Sequence, residues 1–275
     1  MKINWFPGHM AKATREIKEK IKLVDLVVEL LDARAPFSCQ HPFLKEINKE
    51  KLVILTKRDL CDESKLSYFE KKFKKDGVEV LSLDLTRNVD LKKVFKSIDK
   101  VMEKKVEGWQ AKGLIKRRFK VLVFGIPNVG KSTFINKVTK RKGAPSANTP
   151  GFTKGQKWVK TQNIEMLDTP GVLWPNLDDE QKAINLALIG TIKEHILPKE
   201  DLAKKGLEFL VESYPKLLEE KYDYKDGDFF KHLAQKRGFL LKDGDYNIER
   251  SIDTFLKEFR DGKIGRITLE GETNG

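Results

Sequence analysis

Cysteine is almost missing from this chain: Cys39 and Cys61 are the only two in 275 residues. Their spacing matches neither a metal cluster nor a disulfide framework. Long apolar runs are missing too, since none approaches the roughly 18–20 residues that cross a bilayer. The early stretch KATREIKEKIK is amphipathic and charged, unlike the core of a signal peptide. No internal repeat or low-complexity tract stands out. These absences argue against a membrane span or a disulfide scaffold, and a cytosolic globular protein without a membrane partner is expected.

Acidic side chains are the other shortage. Lys and Arg number 54 against 41 Asp and Glu, a net charge of +13. The imbalance is local: residues 1–178 hold 37 basic against 21 acidic residues, and residues 179–275 hold 17 against 20. A basic surface without a hydrophobic anchor points to a polyanionic partner, RNA ahead of membrane. The segment KKVEGWQAKGLIKRR (104–118) is basic and punctuated by glycine.

Hydrophobic residues nevertheless make up 39% of the chain, and their periodicity is legible. DLVVELLDA (25–33), KLVILTKRD (51–59), VEVLSLD (78–84) and RFKVLVFG (118–125) are apolar runs typical of strands covered on both faces. WVKTQNIEMLDTPG (158–171) reads as two short strands. Helical spacing marks residues 10–22, 63–75, 90–105 and 131–140. Buried strands alternating with helices predict an α/β fold with a mainly parallel sheet. Beyond DTPGVLWP only helical patterns continue, so residues 1–178 are expected to form the α/β domain and residues 179–275 a smaller all-α domain.

Short motifs carry the chemistry. GIPNVGKS (125–132) satisfies G-x-x-x-x-G-K-[ST] between a strand and a helix. Gly125 and Gly130 let the loop amides, with Asn128 and Val129 among them, wrap a phosphate chain at a helix N-terminus. Lys131 is suited to reach the β- and γ-phosphates, Ser132 to bind Mg²⁺ and Thr133 to donate to the α-phosphate. DTPG (168–171) ends a strand about 40 residues later, where Asp168 suits Mg²⁺ and the Gly171 amide suits the γ-phosphate. Between them ANTPGFTKG (147–155) offers Thr153, ahead of Thr149, to complete the Mg²⁺ shell.

TKRD (56–59) reads the base. The Lys57 stem packs along a purine face, and Asp59 accepts from the N1–H and exocyclic amine of guanine, a donor pair that adenine lacks. Thr56 heads this motif, and Ser82 in LSLD (81–84) is the candidate for a last guanine-side contact. GTP is the expected ligand. TKRD precedes GIPNVGKS by about 70 residues, the reverse of the usual GTPase order. A sheet accepts this when neighbouring termini are joined and another loop is cut.

The order TKRD, GIPNVGKS, TPGFTKG, DTPGVLWP resembles that of the circularly permuted GTPases. With WFPGHM (5–10) and DARAP (32–36) added, the chain is similar to the ribosome biogenesis GTPase A family, the YlqF-like bacterial group. The resemblance covers essentially the whole GTPase part. It implies a permuted P-loop GTPase fold with a helical RNA-binding domain. It also implies GTP hydrolysis late in assembly of the large ribosomal subunit, with docking on precursor rRNA in the GTP state and departure after hydrolysis. A monomer is expected off the ribosome. Thr56 stands where many relatives have Asn, which leaves specificity to Asp59.

Signalling GTPases place Gln after D-x-x-G to orient the attacking water; here that place is Val172. The resemblance gives the task to His9, a side chain that is neutral above a pKa near 6.5. Two other readings of WFPGHM stay open: His9 caps or packs beside Trp5, or the aromatics stack on RNA bases. His41, His195 and His232 have no such context and are read as structural or surface residues. In relatives with a P-N-V-G-K-S loop, Asn128 is compatible with K⁺ beside the phosphates. Two rival functions are a slow GTP-gated placeholder and a small-subunit permuted GTPase. The second is disfavoured by the absence of a Cys/His cluster and by the short stretch before the first strand.

Overall fold

The computed structural model describes residues 3–4, 8–114, 117–139, 157–161, 164–169, 171–174, 176–177, 179–192 and 197–271, with side chains left out at 3–4, 8–14, 157 and 176–177. A short strand β1 (Ile3–Asn4) leads to helix α1 (Gly8–Ile21), and the sheet begins with β2 (Leu26–Asp32). Helices α2 (Pro36–Cys39) and α3 (Pro42–Lys45) cross to β3 (Glu50–Thr56), and α4 (Glu63–Lys75) crosses to β4 (Glu79–Ser82). The long α5 (Leu91–Ala111) returns to β5 (Phe119–Phe124), followed by α6 (Lys131–Thr139), β6 (Lys157–Lys160) and β7 (Ile164–Asp168).

These six strands lie in the order β4-β3-β2-β5-β7-β6. All pairings are parallel except the β6–β7 edge. All seven residues of β2 are buried, which is why its sequence shows no alternation. The chain winds outward through β2, β3 and β4, then the other way through β5 and β7. The winding therefore reverses between β2 and β5, and the crevice at the carboxyl ends there is where open α/β sheets bind ligands.

Helix α5 runs six residues past the expected end, through Gly108. Val94, Ile98 and Met102 are buried, and Val106 and Trp109 continue their stripe against the core, so packing outweighs the glycine.

The remainder is helical, as expected: α7 (Glu180–Leu188), α8 (Lys199–Ser213), α9 (Pro215–Tyr222), α10 (Phe229–Arg237) and α11 (Ile248–Arg260). Asp179, Asp228 and Asn247 cap three of these by accepting from backbone amides in the first turn. Just ahead of α7, strand β8 (Asn176–Leu177) pairs antiparallel with β1. One buried cluster is shared by sheet and tail, with Ile54, Leu186 and Phe255 all members. A second, smaller cluster lies under α1, where Ile17 and Ile21 pack with Val27, Leu122, Leu167 and Val172. Among the described residues no helix is long and apolar enough to cross a membrane. Cys39 and Cys61 are buried free thiols.

Candidate functional site

The phosphate loop leaves the carboxyl end of β5 at Gly125, where a Cβ would lie 2.6 Å from the Leu30 carbonyl oxygen of β2. Asn128 (φ 62°) and Gly130 (φ 95°) then turn the chain through left-handed conformations into α6. Such a turn before a helix N-terminus makes an anion-binding concavity of backbone amides. Val129 is buried, and Ser132 and Thr133 are half-buried in the first turn of α6. Lys131 is only 7% exposed, and its Nζ donates to the Ile126 carbonyl at 2.8 Å. Burial draws its pKa down to about 7, against the opposing pull of Asp168.

Asp168 ends β7, in register with Val123 of β5. Burial raises its carboxyl, tempered by Lys131, and its Oδ1 is buried without a hydrogen-bond partner. Gly171 lies directly on the phosphate loop: a Cβ there would come within 2.7 Å of Pro127 Cα and 2.9 Å of Lys131 Nζ. A partnerless carboxylate oxygen at Asp168 and the hydroxyl of Ser132 in the first turn of α6 are oxygen ligands of the kind that suits a hard cation such as Mg²⁺. Thr153 and the alternative Thr149 lie outside the described residues.

On the base side, the Thr56 hydroxyl sits 2.7 Å from the Val129 carbonyl and 3.0 Å from that of Leu31. It thus ties TKRD to the phosphate loop. Lys57 adopts φ 54°, with Nζ 2.9 Å from Asp32 Oδ2. Asp59 carries a buried Oδ1 without a partner, and burial together with Asp84 and Asp32 raises its carboxyl. Buried acceptors without partners are rare, and this one faces the need for a donor. Ser82 closes β4 opposite Leu55, the residue before TKRD, and its hydroxyl donates to Glu70 at 2.8 Å.

His9 is the second residue of α1, and its side chain lies outside the described set. Two backbone relations concern it. The pairing of Ile3 with Leu177 and Asn4 with Asn176 ties the chain just before it to the segment just after DTPGVLWP. Val172 is fully buried beneath Ile17 and Ile21 of the same helix, so this residue is core. His41 is structural: its Nδ1 accepts from the Phe43 amide at 3.2 Å, capping α3. Burial, with Lys18 nearby, lowers its pKa to about 4. His232 Nε2 lies 2.9 Å from the Tyr222 carbonyl oxygen; His195 lies outside the described residues.

Motif reading missed the role of DARAP. Arg34 is 2% exposed and grips Asp32 through Nε at 3.0 Å and Nη2 at 2.9 Å. Its Nη1 donates to the Arg260 carbonyl at 2.9 Å and Nη2 to that of Ile189 at 3.3 Å. Those carbonyls end α11 and α7, the negative ends of two helix dipoles. Burial alone would raise the Asp32 carboxyl, but Arg34 and Lys57 together hold it well below the usual carboxylate range. Nearby, Asn128 Nδ2 donates to the Gly190 carbonyl at 2.8 Å. The loop after β5 and, through Lys57 and Asp32, the TKRD loop are therefore both fastened to the helical tail. Partners 155 and 226 residues away leave no local sequence sign.

The geometry agrees with comparisons to known proteins. The family described as 50S ribosome-binding GTPase matches residues 120–228, beginning inside the phosphate-loop strand. Ribosome biogenesis GTPase A of Bacillus licheniformis is 38% identical over 98% of both chains. Its counterpart in Bacillus pumilus is 39% identical over 98% of this chain and 99% of that one. The GDP-bound structure of TM YlqF matches with a TM-score of 0.69 at 30% identity, covering 94% of this chain and 99% of that one. With the permuted motifs gathered at the carboxyl ends of β3, β5 and β7 and relatives matching along nearly its whole length, the chain is a GTP-hydrolysing member of the ribosome biogenesis GTPase A family.

Proposed function

We propose that this GTPase binds Mg²⁺·GTP, docks in that state on the rRNA of a large-subunit precursor late in assembly, and leaves after hydrolysis. Off the ribosome it is a cytoplasmic monomer. The observation that carries this reading is Gly171 lying against the phosphate loop. The same segment continues into β8 and α7, so a change at the γ-phosphate is passed to the N-terminus and the helical tail within a few residues.

Lys131 exchanges its Ile126 carbonyl for phosphate oxygens, and the amides of Gly125 to Gly130 and of Gly171 donate to the same chain of phosphates. Thr133 donates to the α-phosphate. Ser132 and Asp168, joined by Thr153, hold Mg²⁺, which when bound supplies positive charge at the phosphates. Asp59 accepts from guanine and the Lys57 stem covers the base; Ser82 supplies the remaining guanine-side contact. Asn128 lends its amide oxygen to K⁺. Turnover in K⁺ buffer should then exceed turnover in Na⁺ buffer of equal ionic strength, and equal rates would remove that role. His9 orients the attacking water, a reading supported by the β1–β8 pairing and by α1 covering Val172.

RNA contact falls to the basic face around α5. Arg117 is committed elsewhere: it pairs with Asp25 at 2.7 Å and stacks 4.9 Å from the Trp109 ring centre. Exposed lysines such as Lys104 and Lys112 are the better RNA contacts, and Lys116 lies outside the described residues. The rival reading, a slow GTP-gated placeholder, draws on Val172, a core residue whose side chain has no polar atom to offer water.

The deciding experiment is GTP turnover of wild type and His9→Ala, with and without purified large subunits. Stimulation by subunits that His9→Ala loses, with nucleotide binding intact, supports the catalytic cycle. A rate that subunits leave unchanged supports the placeholder.

A further inference from the structure

The last stretch of the tail is extended and runs along the guanine-reading loop. Ile264, Ile267 and Thr268 are buried there. Gly262, at φ 69°, packs so closely that a Cβ would lie 2.6 Å from Leu60 Cδ2, and Leu60 directly follows Asp59. The Ile267 amide donates to the Leu60 carbonyl at 3.1 Å, and the Asp62 amide donates to Thr268 Oγ1 at 3.0 Å. One step further, the Leu269 amide donates to the Arg34 carbonyl at 2.7 Å. The near side of the loop is fastened by Thr56 to Val129 and by Lys57 to Asp32. Asp59 therefore stands between two anchored ends, one set by the sheet and one by the last residues of the tail.

We infer that residues 262–268 are a positioning element for guanine recognition, built by the helical tail and needed by the base pocket. The inference rests on the reading of Asp59 as the guanine acceptor. A carboxylate that takes two parallel hydrogen bonds from one base edge tolerates little misdirection. Its accuracy comes from the packing and hydrogen bonds that hold the loop, because Asp59 Oδ1 has no protein partner of its own. The guanine pocket of the permuted domain is thus incomplete without the chain's far end, and the position of α11 and discrimination between bases are linked.

The test compares GDP with inosine diphosphate, which lacks the exocyclic amine, on the full-length protein. Equilibrium affinities are measured for wild type, Thr268→Val, Thr268→Ser and Gly262→Ala. Wild type is expected to prefer GDP by about tenfold or more, as for loss of one hydrogen bond to a charged acceptor. Thr268→Val removes the acceptor for Asp62 and should shrink that preference to about threefold or less. Gly262→Ala, which drives a methyl into Leu60, should do the same. Thr268→Ser keeps the hydroxyl and should keep the preference. Partial unfolding lowers both affinities equally and leaves their ratio untouched, so the ratio reports aim rather than stability. Ratios equal to wild type in both Thr268→Val and Gly262→Ala overturn the inference. A wild type that fails to prefer GDP overturns the guanine reading of Asp59 instead.

Discussion

Replacing Arg34 by Met tests whether the buried grip on Asp32 and on two helix ends holds sheet and tail together. Met keeps most of the volume and removes every donor. Taking one partner from a buried ion pair costs about 3–5 kcal/mol. Lys57 still reaches Asp32 Oδ2 at 2.9 Å, so the lower figure of about 3 kcal/mol applies. An unfolding entropy of about 2.1 cal/mol/K per residue makes about 0.6 kcal/mol/K for this chain, and the loss amounts to a Tm lower by about 5 °C. Urea melts of wild type, Arg34→Met, Asp32→Asn and the double variant complete the test. The double variant should be less destabilised than the sum of the singles, with a coupling of about 1.5 kcal/mol or more. A Tm change below about 1 °C, or strictly additive losses, would refute the idea that this pair is a fastening.

Glu29 offers a pH test: burial lifts its carboxyl to about 7, tempered by the His41 amide, Lys51 and Lys45. Its stabilisation is complete below the unfolded value and is lost as pH rises through about 7. Glu29→Gln should gain on wild type by up to about 3 kcal/mol between pH 5 and pH 8, and a pH-independent gap in melts would disprove this. Val172→Gln should place an amide in the apolar cluster beneath α1, lowering stability by about 1–3 kcal/mol without raising turnover; faster hydrolysis would show that the side chain reaches the water. Lys104→Glu with Lys112→Glu should weaken co-sedimentation with large subunits at low salt and leave GDP affinity unchanged. Unchanged sedimentation at every salt concentration would clear that face of an RNA role.

The parts legible in the sequence are those whose physics is local. β2, β3 and β5 announce themselves because strands covered on both faces are largely apolar runs without alternation. GIPNVGKS and TKRD are recognisable as motifs because a phosphate chain calls for backbone freedom and N–H donors, and guanine for a carboxylate acceptor, within a few residues. Gly108 hid the true length of α5, since the packing of Trp109 that carries the helix through it is tertiary. The final extended segment escaped notice because Ile264 and Ile267 make too short a pattern to distinguish from loop. Arg34 escaped for the opposite reason: DARAP was visible as a motif, but its partners belong to helix ends that exist only after folding.

The strand order also bears on how the protein is made. β2 is synthesised before both of its neighbours and is one of the most central strands, with β3 on one side and β5 on the other. Its β3 edge finds a partner almost at once. Its other edge waits for Phe119, about 90 residues later, which is roughly 5–20 s at the usual pace of translation. During that time a mostly apolar strand, fully buried in the folded protein, presents an open edge, the feature that invites wrong pairing. The basic α5 is made in the same interval, so early nascent chains combine an unsatisfied strand with a surplus of positive charge. Slowing translation between codons 56 and 119 should therefore cost more soluble protein than slowing it anywhere in the helical tail.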